Sequence, residues 1–448
     1  MICVLTLLSG GVFGQVVSSS LVGVVTDPTG ANMAAVEVQL RDEATGNVRA
    51  ANTTSEGLFR FTNVPPGTYS LSIRAQGFKA YTQQAINLAS SETRDLGQIQ
   101  LALGSLVEEV SVTAMVTPVQ TASSEKSALI DGTQLNQVAL KGRDMFGFLR
   151  LIPGIVDTRT PRDTSSPDAI RGITINGGGQ KNFTVDGVTD LDTGSNDTIH
   201  YEPNMDAISE IRVLTSNYQA EYGRNASGTI SVVTKGGSQE FHGSGWWNKR
   251  HEMFNANNFF SNRNNIPKTP YRFDVFGFSV GGPVTIPKLF NKERKRFFFF
   301  VSQEYTRQRP SATTVYSNMP TELERRGDFS RSVDANGRLL VITDPTNNRA
   351  PFSGNIIPAN RLDAAGVAML NFFPLPNYVD PDPAQVYRRN YRNIATGTHP
   401  RRNDVVRIDA NLSSRLTAYW RYVNDYDLED NFANQPAYEL ANASGQRS

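Results

Sequence analysis

The feature that most constrains this chain is a set of segments, each roughly ten residues long, with one apolar and one polar face. In Val405 to Ser413, Val406, Ile408, Ala410 and Leu412 face one way, and Arg407, Asp409 and Asn411 the other. Leu416, Ala418, Trp420 and Tyr422 alternate with Arg415, Thr417 and Arg421. In Phe297 to Thr306, Phe297, Phe299, Val301 and Tyr305 share a face, while Ser302, Glu304 and Thr306 end the other. Successive side chains of a strand point to opposite faces, so these segments suit a wall between lipid and a polar lumen. No stretch reaches the roughly 18 apolar residues that a membrane helix needs, so any membrane crossing is made by strands.

The connections agree. Strands near 239–248, 272–283, 296–306, 403–412 and 415–426 are joined by long links (249–271 and 307–402) alternating with short ones (284–295, then Ser413-Ser414). Long loops outside and short turns inside mark an outer-membrane β-barrel. The segment 272–283 is imperfect, because Phe276 and Phe278 share a face with Asp274; a bulge is one accommodation. The longest link is rich in proline and asparagine (Pro345, Asn347, Asn348, Pro358, Pro374, Pro376, Pro381, Pro383), which suits an ordered surface loop without a core of its own. A soluble sheet with one wet face is the rival. It fits less well, because the polar faces carry charges along several strands. Closed bacterial barrels have roughly 8 to 26 strands. Residues 238–448 therefore read as the first strands of an incomplete transmembrane β-barrel, truncated towards its C-terminal side.

Charge and chemistry narrow the function. Lys plus Arg number 44 against 43 Asp plus Glu, so there is no basic excess for a nucleic-acid partner. The single cysteine, Cys3, rules out a disulfide framework and a cysteine metal site. His200, His242, His251 and His399 are scattered without metal-ligand spacing. No nucleophile and base are paired. The sequence therefore calls for no catalytic residue, metal or cofactor. Residues 1–15 form an apolar run ending in small residues, which reads as a secretory leader although its basic start is missing. A buried strand is the alternative.

Residues 18–103 are short strands punctuated by turns. Leu21 to Val25, Val36 to Leu40, Leu58 to Phe61, Tyr69 to Ile73, a strand begun at Gly77-Phe78, and Leu96 to Leu103 are separated by Asp27-Pro-Thr-Gly30, Thr45-Gly46, Glu56-Gly57 and Pro65-Pro-Gly67. This spacing predicts a small sandwich. Gly23-Val-Val-Thr-Asp27, Gly30, Gly57-Leu-Phe-Arg-Phe61, Pro66-Gly-Thr-Tyr69 and Ala75-Gln-Gly-Phe78 resemble the carboxypeptidase regulatory-like domain, a transthyretin-like sandwich. The resemblance implies no peptidase activity, since the segment has no histidine.

Between 119 and 237 the chain is glycine-rich. Leu135, Val138, Phe146, Leu149 and Ile152 predict a helical stretch interrupted at Gly142, and Met205 to Ile211 one or two helical turns before a strand. Asn176-Gly-Gly-Gly-Gln180 lacks phosphate-loop spacing and reads as a turn where backbone crosses backbone. Asp186, Asp190, Asp192 and Asp197 form an acidic cluster without EF-hand spacing; calcium stays open beside a solvated loop. Leu151-Ile-Pro-Gly-Ile155, Arg171-Gly172, Val185-Asp-Gly-Val188, Ile208 to Val213 and Ser227 to Gly236 closely resemble the plug domain of TonB-dependent outer-membrane receptors. The module in front points to the Oar-like branch. The resemblance implies an α+β plug filling the barrel, with loop residues Asn176, Gly177, Gly178, Gly179 and Gln180 facing a ligand.

Residues 104–118 link module and plug. Here Glu109, Val110, Ser111, Val112 and Thr113 form a β-prone strand without a local partner. By itself it is either the module's last strand or a strand for addition to a partner's sheet. The resemblance implies the second, a TonB box, although Ser111 departs from the valine often found there. The fold class is then mainly β: sandwich, α+β plug, partial barrel. The implied partners are a periplasmic TonB-type energy-transducing protein, outer-membrane lipid, and an extracellular ligand (siderophore, glycan, peptide or protein). A surface adhesin whose module binds glycans is the rival function.

Overall fold

The computed structural model describes residues 17–429 except 105–108, 114–122, 139, 141, 160–169, 193, 196, 220–221, 224, 264, 266–267, 269–270, 310–312, 335, 381–388, 396–398 and 414–415, together with 446–447. The expected leader lies outside the described residues. The chain forms two compact units: Met1–Gly245 with Gly277–Glu304 and Asn403–Asp425, and Trp246–Phe276 with Tyr305–Arg402 and Tyr426–Ser448.

The N-terminal module is a two-sheet sandwich. Ser19–Thr26 lies between Leu58–Val64 and Thr93–Gln100 in one sheet. The other runs Val48–Asn52, Glu37–Asp42, Gly67–Arg74, Ala80–Leu88, Glu109–Thr113. The apolar members of each alternating pattern meet between the sheets. Leu21, Val38, Leu40, Phe59, Leu71, Ile73 and Ile86 are buried in one cluster. Burying such side chains contributes roughly 1.5–3 kcal/mol each before entropy is counted.

The plug has a five-stranded mixed sheet in the order Val188–Thr189, Lys181–Val185, Gly228–Thr234, Ile208–Ser216, Lys126–Asp131. Its central strand, Gly228–Thr234, is buried throughout. Such a strand needs apolar and small residues on both faces, and Gly-Thr-Ile-Ser-Val-Val-Thr supplies them. Gly228 allows a close approach of backbone: a Cβ there would lie 2.5 Å from the Leu214 carbonyl oxygen.

The expected helical stretch is shorter than its periodicity suggested. Gly132–Gln137 is one helix with a capping box from Asp131 and Gln134. Met145–Leu151 is a separate 3-10 helix capped by Asp144. Arg143, at φ 51°, breaks the chain between them. Leu135, Phe146 and Leu149 are buried, whereas Val138 is exposed. The predicted turns after Met205 shrink to a 3-10 turn, Met205–Ala207. Ile208 already begins the strand, because Ile208 to Leu214 pairs with Gly228–Thr234 on one side and Lys126–Asp131 on the other. Pairing on both sides outweighs the local helical preference.

The remaining large sheet places His242–His251, Arg272–Pro283, Phe297–Arg309, His399–Asn411 and Thr417–Glu429 side by side in chain order, with the short strand Gln446–Arg447 beyond. Long and short connections alternate as expected. Ile408, Trp420 and Tyr422 are exposed on the apolar face. Asp274, the misfit of the second strand, accepts from Trp247 Nε1 at 3.1 Å and pairs with Lys249 at 3.5 Å. The long link is held by polar contacts. Arg361 grips Asp344 with two bonds of 2.7 and 2.9 Å, and Asn355 Nδ2 donates to the carbonyls of Phe329 and Leu340.

Candidate functional site

The polar network between plug and barrel strands starts from Asp186, in the turn after Lys181–Val185. Asp186 has φ 48°, a left-handed conformation that asparagine and aspartate tolerate better than most residues. Its carboxylate is buried. It accepts from Thr234 N at 2.7 Å and Thr234 Oγ1 at 2.5 Å. Arg421 donates to it from a barrel strand, and Arg407 reaches to 4.0 Å. Arg407 also donates to the Thr234 carbonyl at 3.2 Å and to Asp409 at 2.9 Å. Arg407, Asp409 and Arg421 belong to the polar faces read from the sequence. Their partners on the plug were not foreseen.

A second contact surrounds Asn204. Its side chain donates to Asn403 Oδ1 at 2.9 Å, accepts from Ser302 Oγ at 3.1 Å and caps Ala207 N at 3.0 Å. Asn403 in turn donates to the Glu202 carbonyl at 2.9 Å. Arg143 joins Asp206 of the plug and lies 3.7 Å from Glu304 of the barrel sheet. Between these polar contacts the lumen face is apolar. Phe298 and Phe300 are fully buried, and Phe300 and Val405 pack into the plug core. Sequence reading assigned the neighbouring phenylalanines to the outer face but did not anticipate this inner pair.

A third contact joins module and plug. Glu210 accepts from Ser90 N at 2.6 Å, and Arg212 donates to the Ser90 carbonyl. Arg212 also pairs with Glu125 at 2.6 Å and donates to Ser127 Oγ at 3.2 Å. Burial pushes the Glu210 carboxyl above its ordinary range, against the opposing pull of the Ser90 bonds and Arg212. Nothing in the local sequence distinguishes Glu210 and Arg212 from other strand charges.

The glycine loop is the expected crossing of backbone over backbone. The Gln180 carbonyl accepts from Ala226 N and Ser227 N at 3.0 Å each, and from Ser227 Oγ at 2.6 Å. A Cβ on Gly178 would lie 2.5 Å from Ser227 Cβ. Asn176 donates to the Thr215 carbonyl at 3.0 Å. Asn176, Gly177, Gly179 and Gln180 are exposed. The parallel register Lys181↔Gly228 to Val185↔Val232 puts this loop at the opposite end of the sheet from Asp186.

The four aspartates separate. Asp186 faces the arginines, and Asp197 pairs with Arg171 and Lys181 at 3.2 and 3.5 Å. Asp192 is held down at about 2, first by the Gly194 N–H and then by Ser195. Asp190 is pushed up to about 7 by burial, with Asp425 adding to the rise. Among the described residues, no group of three or more His, Cys, Asp or Glu side chains converges on a metal position.

The strand Glu109–Thr113 runs parallel to Ala80–Leu88, with Ala80↔Glu109 through Gln84↔Thr113 in register. Of the two roles read from its sequence, the structure displays the module's edge strand.

Two predictions follow from the network. Asp186→Asn leaves two arginines facing one neutral amide. The plug loses about 3–5 kcal/mol of resistance to unfolding, as when one partner of a buried ion pair is removed; pulse proteolysis in urea reads this as a lower midpoint. Asp190 titrates higher in the fold than its ordinary 3.8, so the folded state holds the extra proton. Its contribution to stability is present below about pH 4 and is lost as pH rises to about 7. Asp190→Asn flattens that part of the pH profile, and an unchanged slope assigns it to other groups.

Comparisons with known proteins accord with this layout. Residues 20–102 match the carboxypeptidase regulatory-like domain, 119–230 the TonB-dependent receptor plug domain, and 233–448 the outer membrane beta barrel domain. The TonB-dependent transporter Oar of Myxococcus xanthus is 24% identical over 370 residues, covering 74% of this chain and 33% of that protein. Among solved structures, the siderophore receptor PirA from Acinetobacter baumannii aligns with TM-score 0.36 and 15% identity over 68% of this chain and 32% of its own. The outer membrane transporter YddB from Escherichia coli aligns with TM-score 0.40 and 10% identity over 68% and 33%. The chain thus spans about one third of the length of these relatives. Its module, plug and outer-membrane barrel domains, in that order, make it an Oar-like member of the TonB-dependent outer-membrane receptors.

Proposed function

We propose that this protein takes up an extracellular ligand across the outer membrane, driven by a periplasmic TonB-type protein that pulls on Glu109–Thr113. The observation that carries the reading is a short strand with one backbone edge on a sheet margin, tethered in front of a plug that is ion-paired to barrel strands. Strand addition suits a pulling contact, because its hydrogen bonds are made along the backbone and need no pocket. The chain after the strand leads to Lys126–Asp131, the edge strand of the plug sheet. An edge strand has one ladder instead of two, so it is the first part of the plug that tension would loosen. The ligand (siderophore, glycan, peptide or protein) meets the loop Asn176 to Gln180 at the sheet end away from Asp186. Catalysis has no part in this reading.

A glycan-binding module is less well supported. Phe59, Phe61 and Tyr69 are buried in its core and offer no stacking platform.

Replacing Val112 by Pro removes one backbone donor and blocks pairing at the centre of the strand. The expected result is loss of energy-dependent uptake, with the protein still present in the outer membrane. Unaltered uptake by Val112→Pro would remove Glu109–Thr113 from the pathway.

A further inference from the structure

The large sheet has an inward and an outward face, and contacts with the plug tell them apart. On Phe297–Arg309, Phe298, Phe300 and Ser302 are buried, and Ser302 donates to Asn204 of the plug. Side chains alternate along a strand, so Phe299, Val301, Tyr305, Arg307 and Arg309 point outward. On His399–Asn411, Asn403 and Arg407 reach the plug, which puts Arg402, Val406 and Ile408 on the outer side. Phe276 stacks on Tyr305 and shares that face. Along its middle the outward face carries Phe278, Val280, Ile408 and Trp420, all exposed, as contact with lipid tails requires.

The outward face changes character where the strands adjoin the long connections. Arg307 and Arg309 end their strand there, and Arg402 lies near the start of His399–Asn411; all three are exposed. Long connections lie on the outer side of the membrane, so this is the extracellular margin of the apolar band. Two of the arginines are built into a stack. The Phe276 and Tyr305 rings lie 5.4 Å apart with their planes at 16°. The Arg307 guanidinium is 5.4 Å from the Phe276 ring centre, and that of Arg402 is 5.7 Å from the Tyr305 ring centre. The four side chains come from Arg272–Pro283, Phe297–Arg309 and His399–Asn411, neighbours in the sheet.

An aromatic face fixes a guanidinium without using its N–H donors. Lys249 and Arg272, at the same ends of their strands, are matched by Asp274 at 3.5 Å and Glu252 at 3.8 Å. Among the described residues Arg307 has no carboxylate match. Outward cations are unfavourable among acyl chains and tolerated where headgroups begin. The complementary group is therefore anionic, rich in oxygen and held at headgroup depth. Phosphate has that chemistry, since its oxygens accept paired bonds from the guanidinium fork.

We propose that Arg307 and Arg402, held on the Phe276–Tyr305 stack, bind the phosphate of an outer-leaflet lipid headgroup. The acyl chains of that lipid lie along the apolar band carrying Phe278 and Ile408. The site faces away from the lumen, so a ligand in transit does not meet it. Arg309 adds positive charge beside the stack. The site is independent of the role proposed for Glu109–Thr113.

The test is native mass spectrometry of the full chain purified in a neutral detergent. The probe is lipid A, in its bisphosphorylated form and with both phosphates removed. The bisphosphorylated lipid is expected to bind at least about tenfold more tightly than the dephosphorylated one. Arg307→Gln combined with Arg402→Gln is expected to abolish that preference. Equal binding of the two lipids to the unaltered chain overturns the proposal, and this comparison needs no variant to fold. A full preference kept by the double variant overturns it as well. Inorganic phosphate at the concentration of the lipid is expected to leave the complex intact. If it displaces the lipid, the site is one for free anions and the lipid assignment fails.

Discussion

The buried carboxylate of Asp186 is the constraint on which much of this structure turns. Taking a charge out of water is unfavourable unless it is paired and hydrogen-bonded, and Asp186 meets both conditions. Thr234 supplies two donors from the neighbouring strand of its own sheet, and Arg421 supplies the counter-charge from a barrel strand. The left-handed turn that aims Asp186 is followed by Gly187 at φ 84°. Two residues out of the ordinary helical and extended regions are thus held by contacts on both sides. The same carboxylate fixes the end of the plug's central strand and ties it to the barrel strand that carries Arg421.

The contrast with the other end of the chain's logic is energetic. The plug sheet is buried on both faces at Gly228–Thr234, with apolar residues packed to Phe300 and Val405. The strand Glu109–Thr113 has one ladder and an exposed valine. Tension applied to the chain therefore meets a weak contact before a strong one. Under the proposed function this ordering matters, because the pulled strand would yield before the plug sheet does.

Much of this was legible in the residues. Alternation placed the strands around Leu21, Val38, Leu71, Val406 and Trp420, because a period of two leaves no choice of face once one side is apolar. It missed Val48–Asn52, where Val-Arg-Ala-Ala-Asn carries too little hydrophobic contrast. The interruption expected at Gly142 falls beside the left-handed Arg143, but the helical pieces on either side, Gly132–Gln137 and Met145–Leu151, are shorter than the apolar spacing suggested. The polar lumen face was visible as a pattern; its bonds were not. Asp186 and Arg421 stand 235 positions apart, and a charge on a strand does not reveal which distant charge it meets. The same holds for Arg212 and Ser90, 122 positions apart. The double identity of Glu109–Thr113 was open in the sequence for a physical reason. A short β-prone strand carries too little pattern to say which sheet its edges complete, and the structure places it on the module.

The most direct test of this account is amide hydrogen exchange on the intact chain without partner or ligand. Exchange reports the free energy of opening each backbone bond. The amides of Val110 to Thr113 are expected to exchange orders of magnitude faster than those of Phe183 to Val185 and Ile230 to Thr234. Equal protection of the two sets would mean that the edge strand is as firmly built in as the plug sheet, and would contradict the ordering of weak and strong contacts on which the account depends.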